Sequence, residues 1–286
     1  MTSSTPVLVN SQPTDPDRLY EIFHENTKHR WSQDLENRLR IGSYLIEERS
    51  IRETANNYKV YQLAERLALP SAEPLEMATS TALARRVSSR QFNGQSITLN
   101  ELSNLLYHGA ACTRQGLSAS HRDVELHFRN YPSGGGLYPI EVYPVLLRVE
   151  GQQPMITHYD PLNHRLDILQ RDISLDALHS AFAEVGELLA QAAVVVFMTS
   201  VFARSTVKYN DRGYRLCLLE AGHLAQNLCI TTAASGLSSL VHAGYDDDAA
   251  ARWLDCDGVN EAVVHSVFIG HPHADDPWFA SRNEAV

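Results

Sequence analysis

The chain has 286 residues, of which 44% are hydrophobic and 20% charged, a composition typical of a folded globular protein rather than a disordered one. Its formal charge of -10 makes it a poor general binder of nucleic acids or anionic membranes, so neither is expected as a partner. The longest apolar run, residues 192–198, is too short for a membrane helix, and the N-terminus lacks the pattern of a signal peptide. Four scattered cysteines without a CxxC pair predict neither disulfides nor a zinc site, and they favour a reducing, cytoplasmic setting.

The first 74 residues have the character of an N-terminal extension. Asp15-Pro16 is typical of a helix start, because Asp is a favoured N-cap and Pro fits the first helical position. Residues 30–50 are charged and are expected to be partly helical, and the stretch LPSAEP at 69–74 resembles a linker. We therefore predict an extension over residues 1–74, which engages a partner or a peptide, and a main domain over residues 75–286.

The first half of the main domain mixes helices with strands. We expect a helix over residues 76–87, and a second helix that opens with a capping box at Thr98 and Glu101. Alternating apolar residues predict a strand around residues 124–128. The run at 139–149 predicts another strand, and the segments on either side of residues 161–163 predict a hairpin.

The second half continues this mixture. Ser174 is expected to cap a helix that ends near Ala190, and the β-branched run at 192–200 predicts a buried strand. The longest helix is expected over residues 211–234, with Gly236 as its C-terminal glycine. A strand near 240–245, a short helix capped by aspartate and a last strand at 261–270 follow. The order mixes hairpins with helices, so it favours an α+β fold rather than a doubly wound sheet.

Several familiar motifs are absent from the sequence. The glycine-rich run GGGLYP at 134–139 is not a dinucleotide-binding fingerprint, since Pro139 stands where the third glycine is needed. His271 and His273 with Asp275 and Asp276 have ligand-type side chains, but we interpret this segment as a solvated tail and predict no metal site.

A first candidate binding motif is the segment ALARRVSSRQF. Arg86 and Arg90 are four residues apart, so on a helix their guanidinium groups would share a face, and Ser88 adds a hydroxyl. Two planar donor groups and a hydroxyl suit a phosphate. The alternative is a solvated basic helix end.

Two further motifs offer bare backbone to a flat ligand. The loop NYPSGGGLYP lets the main chain approach a ring without side chains in the way, and a late Ala-Gly step does the same. The alternatives are a tight structural turn and a plain connection between a strand and a helix. The residues concerned are Pro132, Ser133, Gly134, Gly135 and Gly136 in the loop, and Ala243 and Gly244 in the later segment.

A candidate catalytic pair precedes the longest helix. Lys208 stands beside Tyr209, and an adjacent ammonium would favour the tyrosinate and lower the phenol pKa. Such a tyrosine could accept a proton. The alternative is an ordinary exposed lysine beside a half-buried tyrosine.

Taken in this order, the motifs resemble the FMN-dependent nitroreductase superfamily, and RNYPSGGGLYPIEVY with KYNDRGYRLCLLEAGHLAQN resembles its SagB/McbC-type azoline dehydrogenases. The resemblance implies a nitroreductase-like α+β fold, with a mixed sheet surrounded by helices, and a homodimer with FMN at the interface. It also implies oxidation of peptide thiazoline or oxazoline rings to azoles in the biosynthesis of ribosomal peptide natural products. By the same resemblance, Arg86, Ser88 and Arg90 bind the phosphate, the glycine-rich loop and the Ala-Gly step flank the ring, and Lys208 and Tyr209 are catalytic.

The resemblance also implies partners and leaves two alternatives. Cyclodehydratase or synthetase subunits and a modified precursor peptide are expected to associate with the chain. The same enzyme class could act on a carrier-bound nonribosomal peptide, a small molecule, or a nitro or quinone compound. The second alternative is a function of a different class, that of a flavin-free scaffold subunit.

Overall fold

A computed structural model describes residues 18–28, 35–174, 182 and 190–276. The helices are α1 Leu19–Asn26, α2 Leu35–Ile46, α3 Glu48–Ala55, α4 Thr79–Arg85, α5 Leu99–Ala110, α6 Ala203–Tyr209, α7 Arg212–Ala234 and α8 Asp247–Trp253. The strands are β1 Glu65–Ala68, β2 Cys112–Leu117, β3 Glu125–Arg129, β4 Ile140–Leu146, β5 Met155–Asp160, β6 Arg165–Arg171, β7 Val194–Val201, β8 Ser238–His242 and β9 Glu261–Gly270.

Seven strands form the main sheet in the order β1-β6-β5-β4-β7-β9-β8, and every ladder between them is antiparallel. An isolated parallel bridge joins Ser88 to Ser239 of β8. The β2–β3 hairpin forms a separate two-stranded sheet. The sheet with helices around it confirms the predicted α+β class.

The core lies on both faces of the sheet because its central strands alternate their side chains with a period of two. On β7, Val194, Val196 and Met198 pack on the face that α5 and α7 cover. Val195 and Phe197 point to the opposite face, where α8 packs. Both faces of β7 are fully buried, which explains its unbroken apolar run.

Most elements follow the local signals in the sequence. The Thr98 hydroxyl accepts the Glu101 N–H at 3.1 Å and the Glu101 carboxylate accepts the Thr98 N–H at 2.7 Å, so the capping box is confirmed. Asp246 caps α8 by accepting the Ala249 N–H at 2.7 Å. Gly236, with φ of 77°, follows the end of α7. The predicted helix from Ser174 to Ala190 lies almost wholly outside the described residues, as does the predicted start at Asp15-Pro16.

Part of the predicted extension over residues 1–74 is built into the sheet of the predicted main domain at 75–286. Strand β1 pairs with β6 and forms one edge of the sheet. Just before it, the Lys59 ammonium lies 2.5 Å from a Glu261 carboxylate oxygen and 2.8 Å from the Tyr143 hydroxyl. The linker-like segment at 69–74 therefore connects elements of one folded unit.

Candidate functional site

Residues 86–90, the arginine segment, follow α4 in an extended conformation. Helix α4 ends at Arg85, and the Ser89 N–H donates to the Ser239 carbonyl at 3.0 Å. Ser89 is buried, whereas Ser88 and Arg90 on either side of it are exposed. The predicted helical spacing of Arg86 and Arg90 is therefore wrong, and so is the predicted end of that helix at 87. In an extended chain with a period of two, Arg86, Ser88 and Arg90 still lie on one side.

The Ala-Gly step lies at the far end of the strand that the arginine segment joins. Strand β8 passes Ser239, ends at His242, and continues into Ala243 and Gly244, which are exposed. At about 3.3 Å per residue, Ala243 lies roughly 13 Å from Ser239 along the chain. The structure thus places both predicted binding elements along one edge strand.

The glycine loop, Pro132–Gly136, is a tight turn with left-handed backbone. Gly135 and Gly136 have φ of 70° and 68°, which favours glycine. The Ser133 hydroxyl oxygen accepts the Tyr138 N–H at 2.9 Å and closes the turn. Tyr138 itself has φ of 45°, an uncommon conformation for a side chain of its size.

The side chains of Lys208 and Tyr209 meet the glycine loop at Gly135. A Cβ built on Gly135 would lie 2.5 Å from the Tyr209 hydroxyl oxygen and 2.8 Å from Lys208 Nζ. Both residues lie in the last turn of α6, and an irregular junction follows immediately, at Asn210 with φ of 50°. Two long side chains at a helix end thus reach one backbone position.

The electrostatics of the pair differ from the prediction. Lys208 is 4% exposed, and its Nζ lies 5.2 Å from the ring centre of Tyr44 and 5.3 Å from that of Tyr209. Burial lowers the pKa of Lys208. Burial, and secondarily the neighbouring Tyr44, raises the pKa of Tyr209. The idea that Lys208 lowers the pKa of Tyr209 is therefore wrong, because exclusion of water disfavours both charged forms.

Two residues of this site were missed from the sequence. Tyr44 of α2 carried no signal, since it stands in an ordinary helical stretch. Glu220 of α7 stands alone among the apolar residues at 216–222, and that isolation was a usable signal. It is 2% exposed and faces the Ser133 hydroxyl, and burial raises its pKa to about 7. Neither of its carboxylate oxygens completes a hydrogen bond of ordinary geometry within the described residues.

The arginine segment and the glycine loop lie beside different positions along the axis of α7. A Cβ on Gly134 would lie 3.0 Å from Leu216. Arg86 instead lies close enough to Cys229 for its charge to oppose the raised pKa of that buried thiol. Thirteen residues separate these two positions on α7, which corresponds to about 20 Å along the helix axis. A single chain therefore keeps the two predicted halves of the binding site apart.

The segment after β9 packs against the chain following the arginine segment. The His273 N–H donates to the Gln91 carbonyl at 3.2 Å, and the Ser89 hydroxyl donates to the buried Asp276 carboxylate. The interpretation of residues 271–276 as a solvated tail is therefore wrong for Asp276. Over the described ranges, no three His, Cys, Asp or Glu side chains are grouped to hold a metal.

None of the helices in the described part of the chain has both the length and the apolar character needed to cross a membrane.

Three curated proteins are similar to this chain. MJ1384 of Methanocaldococcus jannaschii, provisionally named a nitroreductase, is 29% identical over 64% of this chain and 86% of its own length. The microcin B17-processing protein McbC of Escherichia coli is 32% identical over 51% of this chain. The trifolitoxin-processing protein TfxB of Rhizobium leguminosarum bv. trifolii is 27% identical over 84% of this chain. The matches span only 56% of McbC and 64% of TfxB.

Solved structures and a family model give the same fold. A chain of the Escherichia coli microcin synthetase McbBCD complex, solved with truncated pro-MccB17 bound, matches with a TM-score of 0.57 and 25% identity. That match covers 78% of this chain and 87% of the other. The nitroreductase family model matches residues 83–271, which include the arginine segment, the glycine loop, the Lys-Tyr pair and the Ala-Gly step. The chain belongs to the nitroreductase family.

Proposed function

We propose that this protein is an FMN-dependent oxidoreductase that oxidises thiazoline or oxazoline rings of a modified peptide to azoles. The observation that carries the proposal is the meeting of Lys208 and Tyr209 at Gly135, in a loop that leaves no room for a side chain. Two proton-bearing groups beside bare backbone suit a reaction in which a ring loses a proton next to a flat cofactor. The similarity to McbC and TfxB supports a peptide as substrate.

The residues present fit FMN. Arg86, Ser88 and Arg90 lie on one side of an extended segment, so they can bind the phosphate through charge-assisted hydrogen bonds. The glycine loop has no side chain at Gly135, where even a methyl group would overlap the Lys208 and Tyr209 atoms. The exposed backbone of the Ala-Gly step suits the edge of a ring. When bound, the flavin would supply the acceptor for the hydride equivalent, that is, for two electrons and one proton.

The chain's own residues handle the proton. An azoline becomes an azole by losing a hydride equivalent and a proton, and the lowered pKa of Lys208 makes its neutral amine available to take that proton. Tyr209, whose pKa is raised, stays a neutral phenol and donates a hydrogen bond to the ring or its flanking amide. The scarcity of water around Lys208 keeps the amine from being fully solvated as an ammonium.

The substrate has room beside the glycine loop. An open cleft of about 580 Å³ lies between the β2–β3 hairpin and the glycine loop, and residues of both elements line it. The Arg114 guanidinium lies 5.6 Å from the Phe128 ring centre at its wall. A cleft with aromatic and basic walls suits a peptide that carries flat heterocycles.

A homodimer is part of the proposal. The roughly 20 Å separation along α7 in one chain supports a second copy that brings its glycine loop to the arginine segment. Exposed apolar side chains occur on α4, α6 and α7, beside both halves, as an interface requires. They are Leu83, Val207, Tyr214, Leu218 and Leu219.

Synthetase subunits and a precursor peptide are the other proposed partners. The likeness to a chain of the McbBCD complex supports an assembly of this kind. The N-terminal region is proposed to engage these partners through exposed apolar residues on α1 and α2, such as Leu19, Ile22 and Leu39.

The first test combines a spectrum with a substrate assay. The purified protein should be yellow, and it should remove two hydrogen atoms per ring from an azoline peptide, as seen by mass spectrometry. A colourless protein that FMN does not reconstitute would favour a flavin-free scaffold. Rapid oxidation of a nicotinamide donor with a nitroaromatic, without any azole formation, would favour a general nitroreductase.

A second test addresses the shared site. The double substitution Arg86→Ala and Arg90→Ala should give folded protein without FMN, whereas Lys208→Ala should bind FMN and fail to form azoles. Co-expression of these two inactive chains under different tags should give heterodimers with about half the wild-type activity, because one of two shared sites is intact. Heterodimers without activity would show that each chain builds its own site.

A further inference from the structure

Tyr44 lies in the predicted N-terminal extension, yet it contacts the candidate catalytic pair. It is 7% exposed, and its ring centre lies 5.2 Å from Lys208 Nζ. The Thr54 hydroxyl donates to the Ser50 carbonyl at 2.9 Å, so the Tyr44 hydroxyl is the donor in its 2.9 Å hydrogen bond to Thr54. This bond anchors the ring of Tyr44 between α2 and α3.

Helix α2 is also tied to the end of α6. The Asn210 side-chain amide, one residue after the last residue of α6, donates to the Asn37 side-chain oxygen at 2.6 Å. The position of the Tyr44 ring over α6 is thus fixed at two points, one on α3 and one on the Lys-Tyr junction. Such a doubly fixed aromatic ring can hold a neighbouring side chain in one rotamer.

Among the residues that the structure describes, few groups face the Lys208 amine. They are the rings of Tyr44 from α2 and Tyr209 from its own helix, together with the Gly135 backbone. Within the described residues, no carboxylate lies at ion-pair distance from this amine. A nearly buried lysine without a counter-ion depends on its aromatic neighbours to exclude water and to stabilise any charge it keeps.

We propose that Tyr44 is a positioning residue for the reaction: its ring covers the Lys208 amino group and holds it, shielded from water, against the glycine loop. The inference rests on the proposed function insofar as Lys208 takes the substrate proton. It assigns part of the catalytic environment to the N-terminal region, which carries no flavin-binding motif. The cover itself is a property of the chain and can be measured without substrate.

Lysine NMR tests the cover directly. The chain contains only three lysines, Lys28, Lys59 and Lys208, so selective 13C labelling gives three signals that Lys→Arg variants can assign. In the wild type, Lys208 should titrate below the ordinary pKa of a lysine, because burial lowers its pKa. Tyr44→Ala should raise the pKa of Lys208 by about one pH unit or more, because water reaches the amine. Tyr44→Phe keeps the ring and should leave the titration as in the wild type.

Kinetics give a second readout. Tyr44→Ala should lower kcat for azole formation about tenfold with KM changed less than about twofold, and it should move the rising limb of the pH profile to higher pH. Tyr44→Phe should restore most of this activity, and Tyr20→Ala, at an exposed tyrosine of α1, is the matched control. Should Tyr44→Ala give too little folded protein, Tyr44→Leu keeps an apolar side chain and should shift both readouts in the same direction.

Failure of the Tyr44 inference can be distinguished from failure of the proposed function. An unchanged Lys208 titration in Tyr44→Ala and Tyr44→Leu would overturn the inference, whatever the enzyme oxidises. If Tyr44→Ala raises the pKa of Lys208 but the enzyme forms no azole, the shielding of Lys208 by Tyr44 would stand and the proposed reaction would be refuted. A loss of activity that Tyr44→Phe shares fully would also overturn the inference, because the ring would then not be the group that matters.

Discussion

Replacing Glu220 by glutamine removes a buried carboxylate with almost no change in shape. Glu220 lies in α7 under the Ser133 hydroxyl, and neither of its oxygens makes a hydrogen bond of ordinary geometry within the described residues. A charge in such a place is poorly solvated, so the folded state favours the protonated acid. The substitution should therefore change the pH dependence of stability.

The direction and size of this change in stability follow from the pKa of Glu220. Burial raises the pKa of Glu220 from 4.5 to about 7, so between these values the folded state binds a proton that the unfolded state has lost. Stability from this group is fully present below pH 4.5 and is lost as the pH rises through 7. At 1.36 kcal/mol per pH unit, the total loss is about 3 kcal/mol, of which about 2 kcal/mol falls between pH 5.5 and 8.5.

The assay is urea unfolding of the wild type and Glu220→Gln across that range, with the same excess of FMN in every sample. The variant should gain about 2 kcal/mol relative to the wild type on going from pH 5.5 to 8.5. Glu150→Gln, which removes the same charge from an exposed position, is the control and should run parallel to the wild type. Parallel curves for Glu220→Gln as well would refute the reasoning, since the buried carboxyl would then titrate as it does in the unfolded chain.

Two further predictions concern the pair at the glycine loop. Gly135→Ala should abolish azole formation and lower the free energy of unfolding by about 1–3 kcal/mol. The new methyl group would meet the Tyr209 hydroxyl and Lys208 Nζ, and it would stand at a left-handed backbone position. Gly151→Ala is the control, because it has the same φ strain in open space and should lose stability only. Lys208→Ala should lower azole formation about 10²–10⁴-fold, as expected for loss of a proton acceptor, whereas Tyr209→Phe should cost less, as the loss of one hydrogen bond would. Steady-state assays with the flavin spectrum as a check decide both, and equal losses for Lys208 and Tyr209 would contradict the assigned roles.

The sequence predicted the elements whose signals are local. The capping box at Thr98, the aspartate cap of α8 and the glycine that follows α7 all depend on residues a few positions apart, and all three are present. The buried strand β7 followed from its β-branched run. Strand β1 and helix α6 were missed, since their short segments are stabilised by pairing and packing with distant parts of the chain.

The candidate site, like the fold, was only partly predictable from the sequence. The sequence by itself singled out the arginine segment, the glycine loop, the Lys-Tyr pair and the Ala-Gly step, because each is a short run of unusual residues. Only the tertiary structure decided that the arginine segment is extended, since its conformation comes from a bridge to Ser239, about 150 residues away. Only the tertiary structure placed Tyr44 over Lys208 and Glu220 under Ser133, and burial at those contacts, rather than neighbourhood in sequence, sets the direction in which each pKa moves.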